Sequence, residues 1–363
     1  MTNSFCIIGA GGFGLMTALH LRETFKDASI TIFDINKNLS STVNGGNGSI
    51  NYNLSIPIKD IIKSYNFYPP NLLNISKNYE FYIIHLINYI FNNSTNRAII
   101  NEMSLNEEPK CTDSNYHSYD YWDNIINKLL ENNIQIKDMT EIIDYKYKNN
   151  KITIISKTKE EYICDKLILC TGSNLNLIKN KYYHKFIEIF SGYSSIIKVK
   201  NQPQCFYYKD GIFITPYNND IKITFKLEIG TYNKNYYLDK TDKQYNNISN
   251  YIKNNPEIQK LGLISIENIW RGSRAMTYDI TPFIEIVDTN VYWISGGGYM
   301  GAHMADTFGK WLVELINNKP FTKLSKYKDF NPKFSRLVKI NNTYYLRFYL
   351  ISIILLIISL FKK

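Results

Sequence analysis

The residues Gly9, Ala10, Gly11, Gly12, Phe13 and Gly14 form a loop spaced G-x-G-x-x-G, and Asp34 lies twenty residues past the last glycine. That spacing suits the pyrophosphate of a dinucleotide. Gly9 permits the tight turn, Gly11 lets the backbone approach the phosphates, and Gly14 lets the following helix pack closely with its N-terminus toward the anion. Asp34 is expected to accept both hydroxyls of a ribose, a role that disfavours a 2′-phosphorylated cofactor. The same carboxylate without the loop reads as a solvated strand end. Loop and carboxylate together do not separate FAD from NAD.

Two later segments have the same strand-then-glycine character. Within residues 166–173 the run after Lys166 is apolar up to Thr171 and Gly172, and residues 291–294 feed Ser295, Gly296, Gly297, Gly298, Tyr299, Met300 and Gly301. A buried strand stopping at such a loop suits the place where a parallel sheet meets a ligand. Lys222 and Lys226 stand four apart on one predicted strand. They are expected to be solvated strand lysines, although on a strand that covers the cofactor they would favour oxygen reduction. His303 follows the last glycine loop and is read as a packing or solvent-facing residue. Tyr207, Tyr208 and Tyr217 suit a cavity wall, but in a chain with 30 tyrosines that placement carries little weight.

The elements that must position these residues follow from hydropathy period. Residues 5–8, 15–25 and 29–33 read strand, helix, strand, a βαβ unit closed by Asp34. Residues 40–48 form a glycine-rich polar loop facing the cofactor. Helical patterns occupy parts of 58–105, clearest over 79–91, and recur over 119–132. Short strands are predicted over 141–147, 151–156 and 161–164, with Asn149 and Asn150 at a hairpin turn. Residues 205–230 alternate as antiparallel strands split by Asn218, Asn219 and Asp220. A helix over 241–260, a strand over 265–270 and a helix over 302–316 complete the body.

Composition sets the limits. At 363 residues the chain is long for one core. Its formal charge of +10 comes with an abundance of Asn, Ile, Lys, Tyr and Phe, all encodable by A/T-only codons, and no basic arm is continuous. Nucleic acid is therefore not expected as a partner. The five cysteines lack C-x-x-C spacing, which points to a reducing compartment and no metal cluster. No secretory leader is expected at the start. Residues 348–361 carry no charge, between Arg347 and Lys362. As a helix this stretch spans about 21 Å, short of a roughly 30 Å hydrocarbon core unless Tyr344 to Leu346 join it and Arg347 snorkels. The expectation is a C-terminal membrane anchor with the enzyme body in the cytoplasm.

The segment 166–173, the loop from Ser295 to Gly301 with its helix, and the order of the pieces resemble the D-amino-acid-oxidase family of FAD-dependent oxidoreductases, which includes glycine and sarcosine oxidases. The similarity covers roughly residues 4–316. In that family the last glycine loop approaches the flavin, and the stretch before it reads R-P-x-T-P-D-x-x-P. Here Arg274, Thr277, Asp279 and Pro282 keep that pattern and two prolines are lost. The resemblance implies FAD as cofactor and Arg274 as the grip on a substrate carboxylate, with Arg271 as the competing choice; an arginine paired with an acid at a domain junction is the structural alternative. Some relatives attach FAD through a cysteine near this element, and residues 269–273 contain none, so FAD is expected to be non-covalent.

The fold class expected is α/β: a Rossmann-type FAD-binding domain interleaved with an antiparallel-sheet substrate domain, plus a C-terminal hydrophobic helix. FAD-binding parts are placed at 1–200, including a helical excursion over 58–132, and at 276–317. The substrate sheet is placed at 201–275, a tether at 318–345 and the hydrophobic tail at 346–361. The expected reaction is oxidation of a C–N bond of a small amine or amino acid by hydride transfer to flavin, with oxygen or another acceptor as reoxidant. No acid–base pair is demanded, since alignment and electrostatics are the protein's part. The alternatives are a membrane-bound dehydrogenase of a 2-hydroxy acid and a catalytically degenerate flavin-binding interaction protein.

Overall fold

The computed structural model describes residues 3–36, 118–179, 187–203, 207–209, 212–229, 237–277, 282–297 and 301–317. The helical stretch expected within 58–105, the tether and hydrophobic tail beyond 317, and Gly298, Tyr299 and Met300 lie outside those residues. Among the described residues no helix is long and apolar enough to cross a membrane.

The organising element is a six-stranded sheet. It contains β1 (Ser4–Ile8), β2 (Ser29–Phe33), β3 (Gln135–Lys137), β7 (Lys166–Leu169), β13 (Phe283–Asp288) and β14 (Val291–Ser295), in the spatial order β13-β14-β7-β1-β2-β3. The pairs from β14 to β3 are all parallel, and β13 is added antiparallel at the edge. Interior parallel strands are covered on both faces, which is why β1, β7 and β14 read as nearly unbroken apolar runs. At the other edge β3 has three residues with exposed ends, a short strand of the kind that discourages further pairing.

One face of this sheet is covered by helices α1 (Gly12–Thr24), α2 (Ser118–Glu131) and α5 (Gly301–Ile316). Their apolar sides form one core with Phe5, Ile7 and Ile168. Helices α1 and α5 cross closely at Gly309, where a Cβ would stand 3.0 Å from the Thr17 backbone nitrogen. The other face carries Cys6, Ile8, Leu169 and Trp293 against a three-stranded sheet of β4 (Ile142–Lys148), β5 (Lys151–Ser156) and β6 (Glu161–Cys164). Asn149 and Asn150 join β4 to β5 with φ of 53° and 59°, the paired left-handed conformation of a tight hairpin turn.

A five-stranded antiparallel sheet lies beyond, in the order β12-β8-β11-β10-β9. Its strands are β8 (Ile187–Val199), β9 (Tyr207–Lys209), β10 (Ile212–Tyr217), β11 (Asp220–Ile229) and β12 (Leu263–Thr277). It takes in β8, which lies upstream of residue 201, where the sequence placed the start of this sheet. One face packs Tyr193, Ile223, Phe225 and Ile269 against α3 (Lys243–Lys253) and α4 (Pro256–Leu261). The single helix expected over 241–260 is two helices. Asn255 caps the second by accepting from the Glu257 and Ile258 amides, and Pro256 occupies its first turn.

Candidate active site at the carboxyl edge of the sheet

Strand order reverses between β1 and β7, because the chain runs outward through β2 and β3 on one side and continues through β14 on the other. In open parallel sheets this switch point, at the carboxyl ends of the strands, is where ligands bind. Gly9, Asp34, Thr171 and Gly296 all stand there, each one or two residues past the end of its strand.

The glycines divide into two kinds. Gly9 has φ of +104° and donates its amide to the Phe33 carbonyl at 2.8 Å; a Cβ there would collide with the Cys170 carbonyl. A Cβ on Gly14 would fall on the Gly9 carbonyl oxygen. Both are required by the fold itself. A Cβ on Gly11, by contrast, meets nothing within 4 Å. No packing demand among the described residues explains that glycine, and its backbone is left open to the approach of a ligand. Gly11 is also the N-cap of α1 and makes no side-chain cap, so the first amides of the helix point toward the crevice.

Asp34 is buried beside this loop. Its Oδ2 accepts the Ala10 amide at 2.8 Å, and its Oδ1 accepts the Asn36 amide at 2.8 Å and the Asn36 side-chain amide at 3.1 Å. The carboxylate thus braces the loop, and Oδ2 keeps acceptor capacity for a ribose hydroxyl. A hold on both hydroxyls would require the Asn36 side chain to yield. Asp34→Ala is expected to weaken FAD retention by roughly 10–100-fold, the scale of a lost charge-assisted hydrogen bond; titration of the flavin-free protein with FAD measures it.

The later glycine loops close on the first. Thr171 Oγ1 donates to the Asn174 carbonyl at 2.5 Å, Gly172 has φ of +57°, and Ser295 Oγ donates to the Gly172 carbonyl at 3.2 Å. Gly296 has φ of +84°. Gly297 packs where a Cβ would stand 2.9 Å from the Phe13 ring, and Gly12 where one would stand 2.8 Å from Trp122. Gly301 begins α5, and His303 lies on its first turn. Segments nearly three hundred residues apart therefore share one crevice.

The five-stranded sheet separates the two candidate arginines. Arg271 is registered with Tyr193 and Phe225, on the face covered by α3 and α4. Arg274 alternates to the opposite face with Trp270 and Gly272. Lys222 shares that face: its row runs Thr215, Lys222, Ile196, Asn268, and the next runs Phe213, Thr224, Ser194, Trp270. Lys222 is 5% exposed, which overturns the expectation of a solvated strand lysine. Lys226 falls at a β-bulge between Phe225 and Leu227, so the two lysines do not alternate regularly. Tyr217 ends β10, and Tyr207 and Tyr208 lie on β9.

Burial, then the nearby Arg274 charge, push the Lys222 amine down to about 7 from its ordinary 10.5. Between those two values the unfolded chain binds a proton that the folded chain does not, so this residue makes stability rise with pH across that window. Below pH 7 the folded protein bears the whole cost of the buried charge. Lys222→Met is expected to flatten that slope and raise the melting temperature near pH 6.5 by several degrees. The ceiling is about 5 kcal/mol at 1.36 kcal/mol per pKa unit, and relaxation leaves about 1–3 kcal/mol. Thermal melts from pH 6 to 10 check the sign.

The same face holds polar atoms that sequence reasoning missed. Ser194 Oγ and Thr224 Oγ1 are 2.8 Å apart and buried. Trp270 Nε1 and Thr215 Oγ1 are buried with no hydrogen-bond partner among the described residues. Asp220, Lys222 and Thr224 make this side polar in the strand's alternation, and a side polar because it is wet and one polar because it faces a ligand give the same pattern.

Comparison with known proteins gives the family and the fold. The family described as "DAO: FAD dependent oxidoreductase" matches residues 111–315, more than half of the chain. The chain belongs to this family of FAD-dependent oxidoreductases. The match begins after the Gly9–Gly14 loop, so that loop supports the cofactor independently. A D-amino acid dehydrogenase of Helicobacter pylori is 28% identical over 181 residues, covering 48% of this chain and 42% of that one. The chain thus matches less than half the length of that relative. Among solved structures, glycine oxidase from Geobacillus kaustophilus aligns with a TM-score of 0.57 at 14% identity, over 88% of this chain and 96% of that one. Fructosamine oxidase (Amadoriase II) from Aspergillus fumigatus aligns at 0.62 and 12%, over 92% and 90%. L-proline dehydrogenase from P. horikoshii aligns at 0.59 and 14%, over 94% and 99%. These likenesses show the fold.

Proposed function

We propose that this protein oxidises the C–N bond of a small amino acid or amine to an imine, which water then hydrolyses. The observation that carries the reading is Arg274, on the sheet face that α3 and α4 do not cover, a face that also holds buried polar atoms without hydrogen-bond partners among the described residues. A guanidinium there offers a bidentate fork to a carboxylate and fixes the reacting carbon relative to the crevice. Flavin, when bound, supplies the two-electron chemistry by accepting hydride. The glycine loop, the α1 N-terminus and Asp34 hold the dinucleotide, and the loops at Gly172 and Gly296 flank it. The absence of cysteine from residues 269–273 supports non-covalent attachment.

Names among the relatives support the substrate class: a D-amino acid dehydrogenase, a glycine oxidase and an L-amino acid deaminase from Proteus vulgaris. The test is anaerobic bleaching of the bound flavin by a panel of amino acids, amines and 2-hydroxy acids. Bleaching by amino acids or amines is expected. Reduction by 2-hydroxy acids alone would replace this reading with the hydroxy-acid dehydrogenase, and no reduction of a flavin-loaded protein would leave a binding protein. Peroxide release against dye reduction distinguishes oxygen from another acceptor.

The uncharged stretch 348–361 is proposed to attach the enzyme to a membrane, with its body on the cytoplasmic side. Deleting residues 318–363 should move the protein from the membrane pellet to the supernatant with FAD retained. Unchanged partition overturns the anchor.

A further inference from the structure

The face of the five-stranded sheet that α3 and α4 do not cover carries a row of neutral hydrogen-bonding groups. Thr224, Ser194 and Trp270 are registered side by side on β11, β8 and β12, and all three are buried. At about 4.8 Å between neighbouring strands the row is about 10 Å wide.

Donors outnumber acceptors along it. Ser194 Oγ and Thr224 Oγ1 stand 2.8 Å apart, and one hydroxyl hydrogen serves that contact while the other is left to be placed. Trp270 Nε1 can only donate, and it has no hydrogen-bond partner among the described residues. Thr215 Oγ1, on β10 and diagonal to Thr224, is buried in the same condition. The charged groups of this face differ: Lys222 and Arg274 both interact with other residues of the protein, and the register puts Glu188, paired with Met276, at the next position on the face from Arg274. What lacks a partner here is neutral.

A buried donor without an acceptor costs free energy, and an oxygen brought by a ligand removes that cost. The strand leaves room for one. Gly192 and Gly272 are registered opposite each other between Trp270 and Arg274, and a Cβ on Gly272 would meet nothing within 4 Å among the described residues. Open space above a strand glycine suits the close approach of a ligand. Trp270 is four residues from Arg274, about 13 Å of strand at 3.3 Å per residue, a gap that a guanidinium, a small amino acid and an indole fill end to end.

We infer that Trp270, with the hydroxyl pair of Ser194 and Thr224, is a specificity-determining group that selects a substrate whose side chain carries an uncharged oxygen acceptor, a hydroxyl or a carboxamide, over an alkyl side chain of the same shape. The residues assigned to the dinucleotide stand at the other sheet, so the acceptor belongs to the substrate. This inference rests on the proposed reading in which Arg274 holds the carboxylate, and it adds what the far end of the substrate must offer.

The test uses acids without an oxidisable amine on the FAD-loaded protein, by isothermal titration calorimetry: succinamate against 4-methylpentanoate, and 3-hydroxybutanoate against 3-methylbutanoate. Each pair is matched in shape and differs in the side-chain oxygen. In at least one pair the oxygen-bearing acid is expected to bind roughly ten-fold more tightly or better, because the alkyl acid leaves the donors unpaired. Trp270→Phe should cut that preference by roughly three-fold or more, and so should the double substitution Ser194→Ala with Thr224→Val, which spares the indole. A purely structural role would weaken both acids of a pair alike and leave their ratio unchanged. Equal affinities within both pairs overturn the inference, as does a preference that survives either change. Loss of FAD from Trp270→Phe would assign the indole to the cofactor and overturn it as well. If alkyl amino acids bleach the flavin and neither pair shows a preference, the C–N oxidation reading stands and this inference fails. A Trp270-dependent preference with no bleaching by any amine gives the reverse.

Discussion

Gly11→Val should give a folded protein that does not retain FAD, and Gly14→Ala should give little folded protein at all. The two glycines share one motif and differ in what surrounds them. A Cβ on Gly14 would coincide with the Gly9 carbonyl oxygen, and Gly9 cannot retreat because its own Cβ position is occupied by the Cys170 carbonyl. Relieving the clash means parting α1 from β1 and from the core that Leu15, Leu19 and Ile7 share with α5. That is overpacking against backbone on both sides, which exceeds the ordinary 1–3 kcal/mol of an oversized core substitution. Gly11 has φ of −69° and ψ of 174°, an extended conformation open to valine, and its Cβ direction is empty. The change there costs about 1 kcal/mol as a poor N-cap residue. Its larger effect is to fill the space through which a pyrophosphate reaches the helix amides. Melting temperature and flavin absorbance, measured on both variants, separate the two effects. A flavin-replete Gly11→Val protein would remove the phosphate role from this loop.

This contrast also indicates what the sequence could convey. The spacing of Gly9, Gly11, Gly14 and Asp34 is dictated by local backbone geometry, so one segment suffices to read it. The same is true of Asn149 and Asn150, whose left-handed pair fits a two-residue hairpin. Strand β8 was harder. Its run IEIFSGYSSIIKV interrupts apolar residues on both sides, with Ser191 and Ser195 on the helix-covered side and Gly192 and Ser194 on the other, and that looks like a loop. Lys222 was read as solvated for a related reason. In DIKITFKLEI the alternation correctly puts Ile221, Ile223 and Phe225 on the helix-covered side, and nothing local says that the other side is also buried. Its burial follows from where β12 and β8 lie, which depends on pairings across dozens of residues. Arg271 and Arg274 were left as competitors because a three-residue separation decides the face only once the strand is known to run unbroken between them.

That same alternation makes the two arginines separable by experiment. Arg274→Ala should lower kcat/KM by roughly 100- to 3000-fold with FAD retained, the effect of removing about 3–5 kcal/mol of charge-assisted contact to a carboxylate. Arg274→Lys should recover part of this, because the charge remains and the planar fork does not. Arg271→Met should act on stability instead, since Arg271 lies 7% exposed on the face packed with α3 and α4. Its kcat/KM, measured on the folded fraction, should stay within a few-fold of the parent. The opposite assignment, with Arg271 governing substrate and Arg274 governing folding, would place the substrate on the other side of the sheet. A second consequence links activity to stability. The Arg274 charge helps hold the Lys222 amine down near 7, so Arg274→Ala lets that amine move up toward the ordinary lysine range. The pH window over which Lys222 costs stability then narrows, and the variant should melt no lower than the parent between pH 6 and 7 while turning over far more slowly. Loss of activity without loss of stability is the signature of an arginine held in place for a ligand; if Arg274 served to brace the sheet, both would fall together.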